Sequence, residues 1–314
     1  MPFDVVVVGA AGVDTLVYVP DAVPDMSRDS TMADVADRVG QAGAFTARGF
    51  ARLGWRTGFV GVFGDDWAGQ AVRSAFARDG VEIAAESIDP AGTARSVNLM
   101  TPDGRRRAFY DGRGHMSVAV PDAAHAFRGT RLALFHLSDW CRQLLPPAMA
   151  SGALVATDLQ DVADVDDPYR ADFVAASDVV FLSAANVADP LGAARQILAR
   201  GPAVVVMGRG SDGALAVTGT CVVEAAPPTL DLPVVDTNGA GDGLAVGFLH
   251  AWALSGGAEL GAGRADDRAQ LGAALLAGQC AARVTCARVG GDDLVTEPEL
   301  RALTRGVGGH SRHE

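Results

Sequence analysis

The sequence predicts a three-layer α/β/α sandwich with a mostly parallel central sheet and a small lid of β-strands. Short apolar runs alternate with helical segments over most of the chain, and two more polar segments interrupt this alternation. Hydrophobic residues make up 49% of the 314 residues and charged residues 20%, a composition typical of globular proteins. Because no linker or repeat is visible, we expect one domain over residues 1–305.

The predicted strands of the main sheet are continuous runs rich in Val, Ala, Leu and Phe. Strands that are apolar on both sides belong to parallel sheets that are covered on both faces. They are predicted over residues 3–9, 58–63, 132–137, 153–158, 178–182 and 203–207.

The segments between these strands have the length and apolar spacing of helices. Helices are predicted over residues 42–53, 67–79, 190–200, 241–255 and 267–288.

The lid is predicted at residues 14–39 and 93–115, where polar and apolar residues alternate and turn signals occur. If such strands pair between subunits they protect their own edges, so we expect a homodimer through the lid. Residues 306–314 lack any periodicity and are predicted to be a disordered tail.

The charge of the chain excludes several classes of protein. The formal net charge is −12, which argues against nucleic acid or an anionic membrane as a partner. All 26 basic residues are Arg. The absence of Lys excludes Schiff-base chemistry and the lysine-dependent phosphate sites of P-loop proteins and protein kinases. A phosphate must therefore be held by Arg, by backbone N–H groups or by a metal.

The segment pattern predicts a cytoplasmic protein. The first residues lead directly into an apolar strand, so no signal peptide is expected, and no uncharged apolar run approaches the roughly 18 residues of a membrane span. The 4 cysteines show no CxxC spacing, which favours buried thiols in a reducing compartment.

Residues 233–249 carry the most informative motif of the chain. The segment PVVDTNGAGDG is followed by an apolar helix, so a glycine turn directs several N–H groups to the positive end of a helix dipole. Asp242 lies inside this anion-binding turn, where a carboxylate would repel a phosphate. A simple helix cap is the alternative, but deprotonation of an attacking hydroxyl explains a carboxylate at this position.

Two other glycine-containing motifs, the dinucleotide-binding fingerprint and the nucleophile elbow, are each excluded by one residue. A dinucleotide fingerprint that starts at Gly239 requires Gly at the position of Leu244. A nucleophile elbow around Ser211 requires Gly at the position of Arg209. The scattered histidines contain no HExxH, so a metal site built on histidine is not expected.

The segment DTNGAGD at 236–242 resembles the C-terminal signature of the ribokinase-like, phosphofructokinase-B type kinases. Residues 40–54 and 61–69 are similar to the family's N-terminal signature and its continuation. The strand and turn at 204–213 resemble those beside the family's nucleotide. Asn238 is at a position where adenosine kinases also carry Asn.

This resemblance implies ATP-dependent, Mg²⁺-requiring phosphorylation of a hydroxyl on a sugar or sugar-like acceptor, with K⁺ as a further cation. Asp242 would be the general base and the Gly239–Gly241 backbone, with Ala240, the anion hole. The implied acceptor-binding residues are Asp14, Gly40, Gln41, Phe45, Arg113 and Asp139. The implied nucleotide-binding residues are Asn186, Gly208, Gly210, Gly213, Thr237 and Gln279. Mg²⁺ would be held through the ATP phosphates and water.

The chain departs from the family pattern at positions that face both substrates. The family has a second Gly at the position of Gln41, Asn at the position of Phe45, and Glu, which helps to organise Mg²⁺, at the position of Asn186. The acidic stretch 158–167 could compensate, or be a solvated loop. A nucleoside kinase and a catalytically weak ligand-binding protein therefore stay as alternatives.

Other candidate residues have structural alternatives. Arg105–Arg107 could clamp an acidic substrate, but a charged hairpin tip is favoured. Gln279 is predicted to lie near the adenine or at a surface position of its helix.

Overall fold

The structure, a computed structural model, describes residues 1–21, 27, 29–102, 106–113, 118–255, 268–291 and 294–310. No helix in these ranges is long and apolar enough to cross a membrane.

Thirteen strands are described. They are β1 (Val5–Val8), β2 (Gly12–Tyr18), β3 (Asp34–Gly40), β4 (Thr57–Phe63), β5 (Val81–Ile88), β6 (Arg95–Met100), β7 (Arg106–Asp111), β8 (Leu132–His136), β9 (Leu154–Asp161), β10 (Val179–Ser183), β11 (Val204–Gly208), β12 (Ala214–Val217) and β13 (Val222–Ala225).

Nine of these strands form the main sheet, in the order β13-β12-β11-β10-β9-β8-β1-β4-β5. Neighbours from β11 to β5 are parallel, whereas β12 and β13 add antiparallel edge strands. The six predicted strands all belong to this sheet, within one to three residues of their predicted ends. Because β1 lies between β4 and β8, the polar residues that follow these strands meet at one edge of the sheet.

Nine α-helices lie within the described ranges. They are α1 (Ala42–Arg52), α2 (Trp67–Asp79), α3 (Asp139–Arg142), α4 (Leu145–Ala150), α5 (Ala171–Ala176), α6 (Pro190–Leu198), α7 (Ala240–Leu254), α8 (Arg268–Cys286) and α9 (Glu297–His310).

Two buried clusters show that the sheet has a helix layer on each face. Val5 and Val7 of β1 pack in a cluster with α1, α7 and α8, whereas Val6 and Val8 pack in a second cluster with α4, α5 and α6. Alternate residues of a strand point to opposite faces, so a strand that is apolar throughout is buried on both sides. The predicted three-layer sandwich is confirmed.

A second sheet of four strands, in the order β3-β2-β6-β7, forms the lid. Strand β2 pairs antiparallel with β3 and parallel with β6, and β6 pairs antiparallel with β7. All four strands fall within or directly beside the predicted lid segments 14–39 and 93–115. Residues 103–105, which include the predicted hairpin turn, and residues 114–117 lie outside the described residues.

The C-terminal region differs from the sequence-based expectation. Helix α9 extends through His310, five residues beyond the predicted end of the domain at residue 305. Arg301 Nε donates to Glu297 Oε1 (2.8 Å) one turn earlier, an i,i+4 ion pair that stabilises the first turns of the helix. Residues 311–314 lie outside the described residues.

Candidate active site

The glycine turn ends in the first turn of α7. Gly239 has φ 77°, a left-handed conformation that favours glycine, and it is the N-cap of the helix. The amide of Ala240 donates to the carbonyl of Thr237 (3.2 Å) and that of Gly243 to Gly239 (2.8 Å). The Gly241 amide has no acceptor among the described residues, so it is available to an anion at the positive end of α7.

Asp236 fixes the turn from three sides. Its Oδ1 accepts from the Asn238 amide (2.8 Å), while Oδ2 accepts from the Gly290 amide (2.9 Å) and the Tyr18 hydroxyl (3.2 Å). Tyr18 belongs to the lid and Gly290 to the segment after α8. A buried carboxylate with three donors is rigid, so the turn is held in place against both the lid and the helix layer.

Asp242 lies in the first turn of α7 and is half-buried. Its Oδ1 is buried and has no hydrogen-bond partner among the described residues. Burial raises the pKa of this carboxyl well above its ordinary value, the nearby charge of Asp158 raises it further, and Arg106 lowers it. The side chain therefore has a free oxygen and an affinity for a proton.

Asp14 faces the same space from the lid strand β2. Its Oδ1 accepts from Ser96 Oγ (2.6 Å) and its Oδ2 from the Gln41 amide (3.2 Å). A Cβ at Gly40 would overlap the Asp14 carboxylate, which explains the glycine there. Burial raises the pKa of Asp14, while Ser96, Gln41, Asn238 and Arg106 lower it. Because Asn238 belongs to the glycine turn, Asp14 and the turn lie side by side.

Gln41 and Phe45, the two departures at the start of α1, have different surroundings. Gln41 has φ 72° and ψ 152°, and both polar atoms of its side-chain amide are buried without a partner among the described residues. The Phe45 side chain is 3% exposed, and a Cβ at Gly239 would lie 3.7 Å from its ring. Phe45 thus packs against the glycine turn.

His136 and Asp158 also lie at the site; Asp158 is the first residue of the acidic stretch considered above, whereas no role was predicted for His136. They are paired residues at the carboxyl ends of β8 and β9. One ring nitrogen of His136 and one carboxylate oxygen each of Asp158 and Asp242 lie within 4.8 Å of one another. Burial lowers the pKa of His136 to about 3 and raises that of Asp158 to about 6. Histidine at this site is therefore neutral, and the two carboxylates compete for a proton.

The partner of His136 indicates which ring nitrogen carries the proton. Its Nε2 lies 2.9 Å from Thr46 Oγ1, and the Thr46 hydroxyl lies 2.9 Å from the Ala42 carbonyl, which accepts its single proton. Nε2 then donates to Thr46, and Nδ1, which is buried and unpartnered among the described residues, keeps its lone pair.

Arg106 corrects the expectation of a charged hairpin tip at 105–107. Residue 105 lies outside the described residues, but Arg106 Nη1 donates to the Asn238 side-chain oxygen on the glycine turn. Arg107 instead lies over the Phe109 ring, 5.3 Å from its centroid. Neighbouring residues of a strand point to opposite faces, so only Arg106 faces the site.

Tyr110 is a further lid residue on the side of Asp14. It pairs with Ser96, which pairs with Asp14, and its side chain is 60% exposed. Burial of the hydroxyl and the charge of Asp14 raise its pKa to about 12. An exposed aromatic ring beside a carboxylate is suited to a sugar, which presents apolar C–H faces and hydroxyls.

Most of the predicted nucleotide-binding residues lie along neighbouring loops. Gly208 ends β11, and its carbonyl accepts from the Ala184 amide (2.9 Å) in the loop that contains the exposed Asn186. Gly210 and Gly213 have φ 58° and 89°, and Thr237 is exposed beside the glycine turn.

Gln279 does not occupy the surface position considered as an alternative. It is 5% exposed, and its Nε2 donates to the carbonyls of Ala225 (2.7 Å) and Ala226 (3.0 Å). Both amide hydrogens are thereby used to attach α8 to the end of β13.

Two predicted acceptor-binding residues pair with other side chains. Arg113 Nε lies 3.2 Å from Asp111 Oδ2, and Arg142 Nη2 lies 3.6 Å from Asp139 Oδ1. Among the described residues, no hydrogen bond or ion pair joins either residue to Asp14 or Asp242.

Comparison with known proteins identifies the family of this chain. The family described as pfkB family carbohydrate kinase matches residues 3–297. An acarbose 7(IV)-phosphotransferase of Actinoplanes sp. is 37% identical over 256 residues, which cover 78% of this chain and 84% of that protein.

Solved structures show the same fold. A microbiome-derived acarbose kinase superposes with a TM-score of 0.83 at 31% identity, covering 97% of this chain and 100% of that one. An Arabidopsis thaliana ribokinase complexed with ribose and ATP gives a TM-score of 0.77 at 20% identity over 97% of this chain and 99% of that one.

Fold, lid and relatives together define a phosphotransferase that uses an alcohol group as acceptor. The chain belongs to the pfkB family of carbohydrate kinases. The family resemblance drawn from the DTNGAGD segment is confirmed.

Proposed function

We propose that this enzyme transfers the γ-phosphoryl group of ATP to a hydroxyl of a sugar or sugar-like acceptor, with Asp242 as the general base. The observation that carries the proposal is the unpartnered Oδ1 of Asp242 next to the free amide of Gly241. A proton acceptor and an anion-binding amide lie side by side in one helical turn, as phosphorylation of a hydroxyl requires.

Asp14 and Asp242 have complementary tasks in this mechanism. Asp14, fixed by Ser96 and the Gln41 amide, accepts a hydrogen bond from an acceptor hydroxyl and orients it. Asp242 takes the proton of the attacking hydroxyl, and its raised pKa makes it a better base than an ordinary carboxylate. The Gly239–Gly241 backbone binds the transferred phosphoryl group, because phosphoryl transfer is catalysed mainly by positioning and charge stabilisation.

The donor set fits a magnesium ion that accompanies the nucleotide. Mg²⁺ takes oxygen ligands and is commonly held by one or two carboxylates together with substrate phosphates. Asp158 would hold it, since one oxygen of its buried carboxylate lies within 4.8 Å of one carboxylate oxygen of Asp242. The ion neutralises phosphate charge when bound. A requirement for K⁺ stays a prediction.

The acceptor is proposed to be a carbohydrate of the kind that its relatives are named for. Both the curated relative and the solved kinase carry acarbose in their names. The exposed Tyr110 ring beside Asp14 supports a sugar, whose C–H face stacks on an aromatic ring. A nucleoside acceptor is the alternative that the experiment must separate.

ADP release from ATP and Mg²⁺ is the direct test, measured over a panel of sugars, acarbose and nucleosides. Wild type and Asp242→Asn are compared with Asp231→Asn, which removes an exposed carboxylate earlier in the same loop. We expect one acceptor class to turn over, a kcat loss of about 10³-fold or more in Asp242→Asn, and no change in Asp231→Asn. Acceptor binding without turnover would instead support a ligand-binding protein.

A homodimer through the lid is also proposed. Val35, Val97 and Phe109 are 60%, 40% and 50% exposed and share the outer face of the lid sheet by its pairing register. Light scattering of wild type and of Val97→Asp tests this: a dimer that becomes a monomer on substitution supports it, and a monomeric wild type refutes it.

A further inference from the structure

Arg106 is placed over the glycine turn by the register of the lid. Tyr18, Met100 and Arg106 are paired across β2, β6 and β7, so they form one row on the inner face of the lid sheet. At one end of this row the Tyr18 hydroxyl contacts Asp236 (3.2 Å), and at the other Arg106 contacts the Asn238 side chain. The same row therefore contacts the turn twice.

The charge of Arg106 is not used by a carboxylate. Among the described residues no Asp or Glu lies within ion-pair distance of it, and its only hydrogen bond within those ranges goes to a neutral amide oxygen. Yet it lies close enough to lower the pKa of both Asp14 and Asp242. A guanidinium has five N–H donors, so most of them stay available to a further ligand.

A cationic side chain at this site would offset the negative charge that an incoming phosphate meets. Asp14, Asp158 and Asp242 supply carboxylates, while His136 is neutral because burial lowers its pKa to about 3. No Lys exists in the chain. Among the described groups that shift the pKa of Asp242, Arg106 is the single cation, and its hydrogen bond to the Asn238 side chain places this cation over the glycine turn.

We propose that Arg106 is a phosphate-binding residue delivered by the lid. When the lid lies over the acceptor, its guanidinium contacts the phosphoryl group that the Gly239–Gly241 backbone holds, and Asn238 orients it. Closure of the lid is thereby coupled to the presence of phosphate. This inference rests on the proposed kinase function and adds a residue that this function did not include.

A purely mechanical latch is the competing explanation. If the Arg106–Asn238 hydrogen bond served only to hold the lid down, loss of either partner would have the same effect, and phosphate binding would change little. If Arg106 binds phosphate, its charge is required, and Asn238→Ala is the milder variant.

The experiment combines phosphate binding with kinetics in the full-length protein. Calorimetric titration with inorganic phosphate and steady-state turnover are measured for wild type, Arg106→Gln, Arg106→Lys and Asn238→Ala. Arg107→Gln is the matched control, since it removes the same charge from the outer face of the same strand. Arg106 and Arg107 are exposed, so we expect the variants at these two positions to keep the wild-type melting temperature.

Arg106→Gln should bind phosphate about tenfold more weakly or worse, the loss expected for one charge-assisted hydrogen bond. Its kcat should fall about 10²-fold, with Arg106→Lys in between and Arg107→Gln unchanged. Added guanidinium ion should restore part of the activity of Arg106→Ala, which a structural latch would not allow.

The outcomes separate this inference from the proposed function. Normal turnover and normal phosphate binding in Arg106→Gln would overturn the role of Arg106 and leave the kinase assignment intact. A wild type that turns over no acceptor, but binds phosphate only when Arg106 is present, would refute the ATP-dependent kinase and support the anion site. Equal defects in Arg107→Gln would mean that charge on the lid acts without regard to position, against the proposal.

Discussion

Replacement of Gln41 by Gly should stabilise the protein. Gln41 precedes α1 with φ 72° and ψ 152°, a backbone conformation almost confined to glycine, and the family has Gly at this position. Both polar atoms of its amide are buried without a partner among the described residues. The strained backbone and the unpartnered amide both lower the stability of the folded protein, and Gly at this position removes both effects.

A second variant, Gln41→Ala, separates the effect of the backbone strain on stability from the effect of the unpartnered side-chain amide. Strain at such a position costs about 1–3 kcal/mol, whereas the freedom that Gly loses on folding costs about 0.5–1 kcal/mol. Gln41→Gly should therefore be more stable than Gln41→Ala by about 1–2 kcal/mol. Gln41→Ala removes two unpartnered polar atoms, each of which destabilises the folded protein by about 1–3 kcal/mol. It also removes two buried methylene groups, each of which stabilises the folded protein by about 0.8 kcal/mol. We expect the free energy of unfolding to increase from the wild type, with Gln at position 41, to Gln41→Ala and then to Gln41→Gly.

Urea unfolding followed by circular dichroism measures this order directly. Gln70→Gly is the control, because Gln70 is exposed inside α2, and Gly there should lower stability by about 1 kcal/mol. A Gln41→Gly protein that unfolds at lower urea than Gln41→Ala would refute the strain argument. The acceptor KM of the same variants tests the prediction that Gln41 binds substrate.

Three further predictions concern the charges and hydrogen bonds of the site. Asp158→Asn should move the acid limb of the kcat/KM profile to lower pH, since the Asp158 charge raises the pKa of Asp242. In the folded protein the pKa of Asp158 is about 6, above its ordinary value, so folding favours the protonated form and stability falls as pH rises through that value. Asp158→Asn should therefore raise the urea midpoint more at about pH 8 than at about pH 5. Gln279→Met should cost about 0.5–1.5 kcal/mol of unfolding free energy, because the half-buried Ala225 carbonyl and the exposed Ala226 carbonyl lose their donor. Asp236→Asn should weaken phosphate binding in calorimetry, since an amide has a single acceptor oxygen and cannot accept from Asn238 on one side and from Gly290 and Tyr18 on the other, as the carboxylate does; unchanged binding would contradict this.

The central part of the fold could be predicted because its strands are buried on both faces and are therefore uniformly apolar. β4 and β11, for example, have no polar interruption, and the helices between them keep a regular apolar spacing. β5 was missed because it is an edge strand in which Glu82 and Glu86 alternate with apolar residues. β12 and β13 are only four residues each, too short for a period to be visible.

The glycine turn could be predicted because its chemistry is contained in seven consecutive residues. The contact between His136 and Asp158 could not, since they lie 22 positions apart in the chain and meet only because β8 and β9 are neighbours in register. His136 carried no motif, and a single histidine after an apolar strand is more often a core residue. Only the sheet order shows that both side chains reach Asp242.

Arg106 shows why a charged cluster cannot be assigned a role from sequence. Arg106 and Arg107 are chemically identical neighbours, and a shift of one residue in the β6–β7 register would exchange their faces. Pairing of Met100 with Arg106 sends Arg106 inward to Asn238, while Arg107 lies on the Phe109 ring outside. The carboxylate proposed as the general base is thus encoded by a local motif, whereas the cation proposed to act with it is selected by strand pairing in the lid.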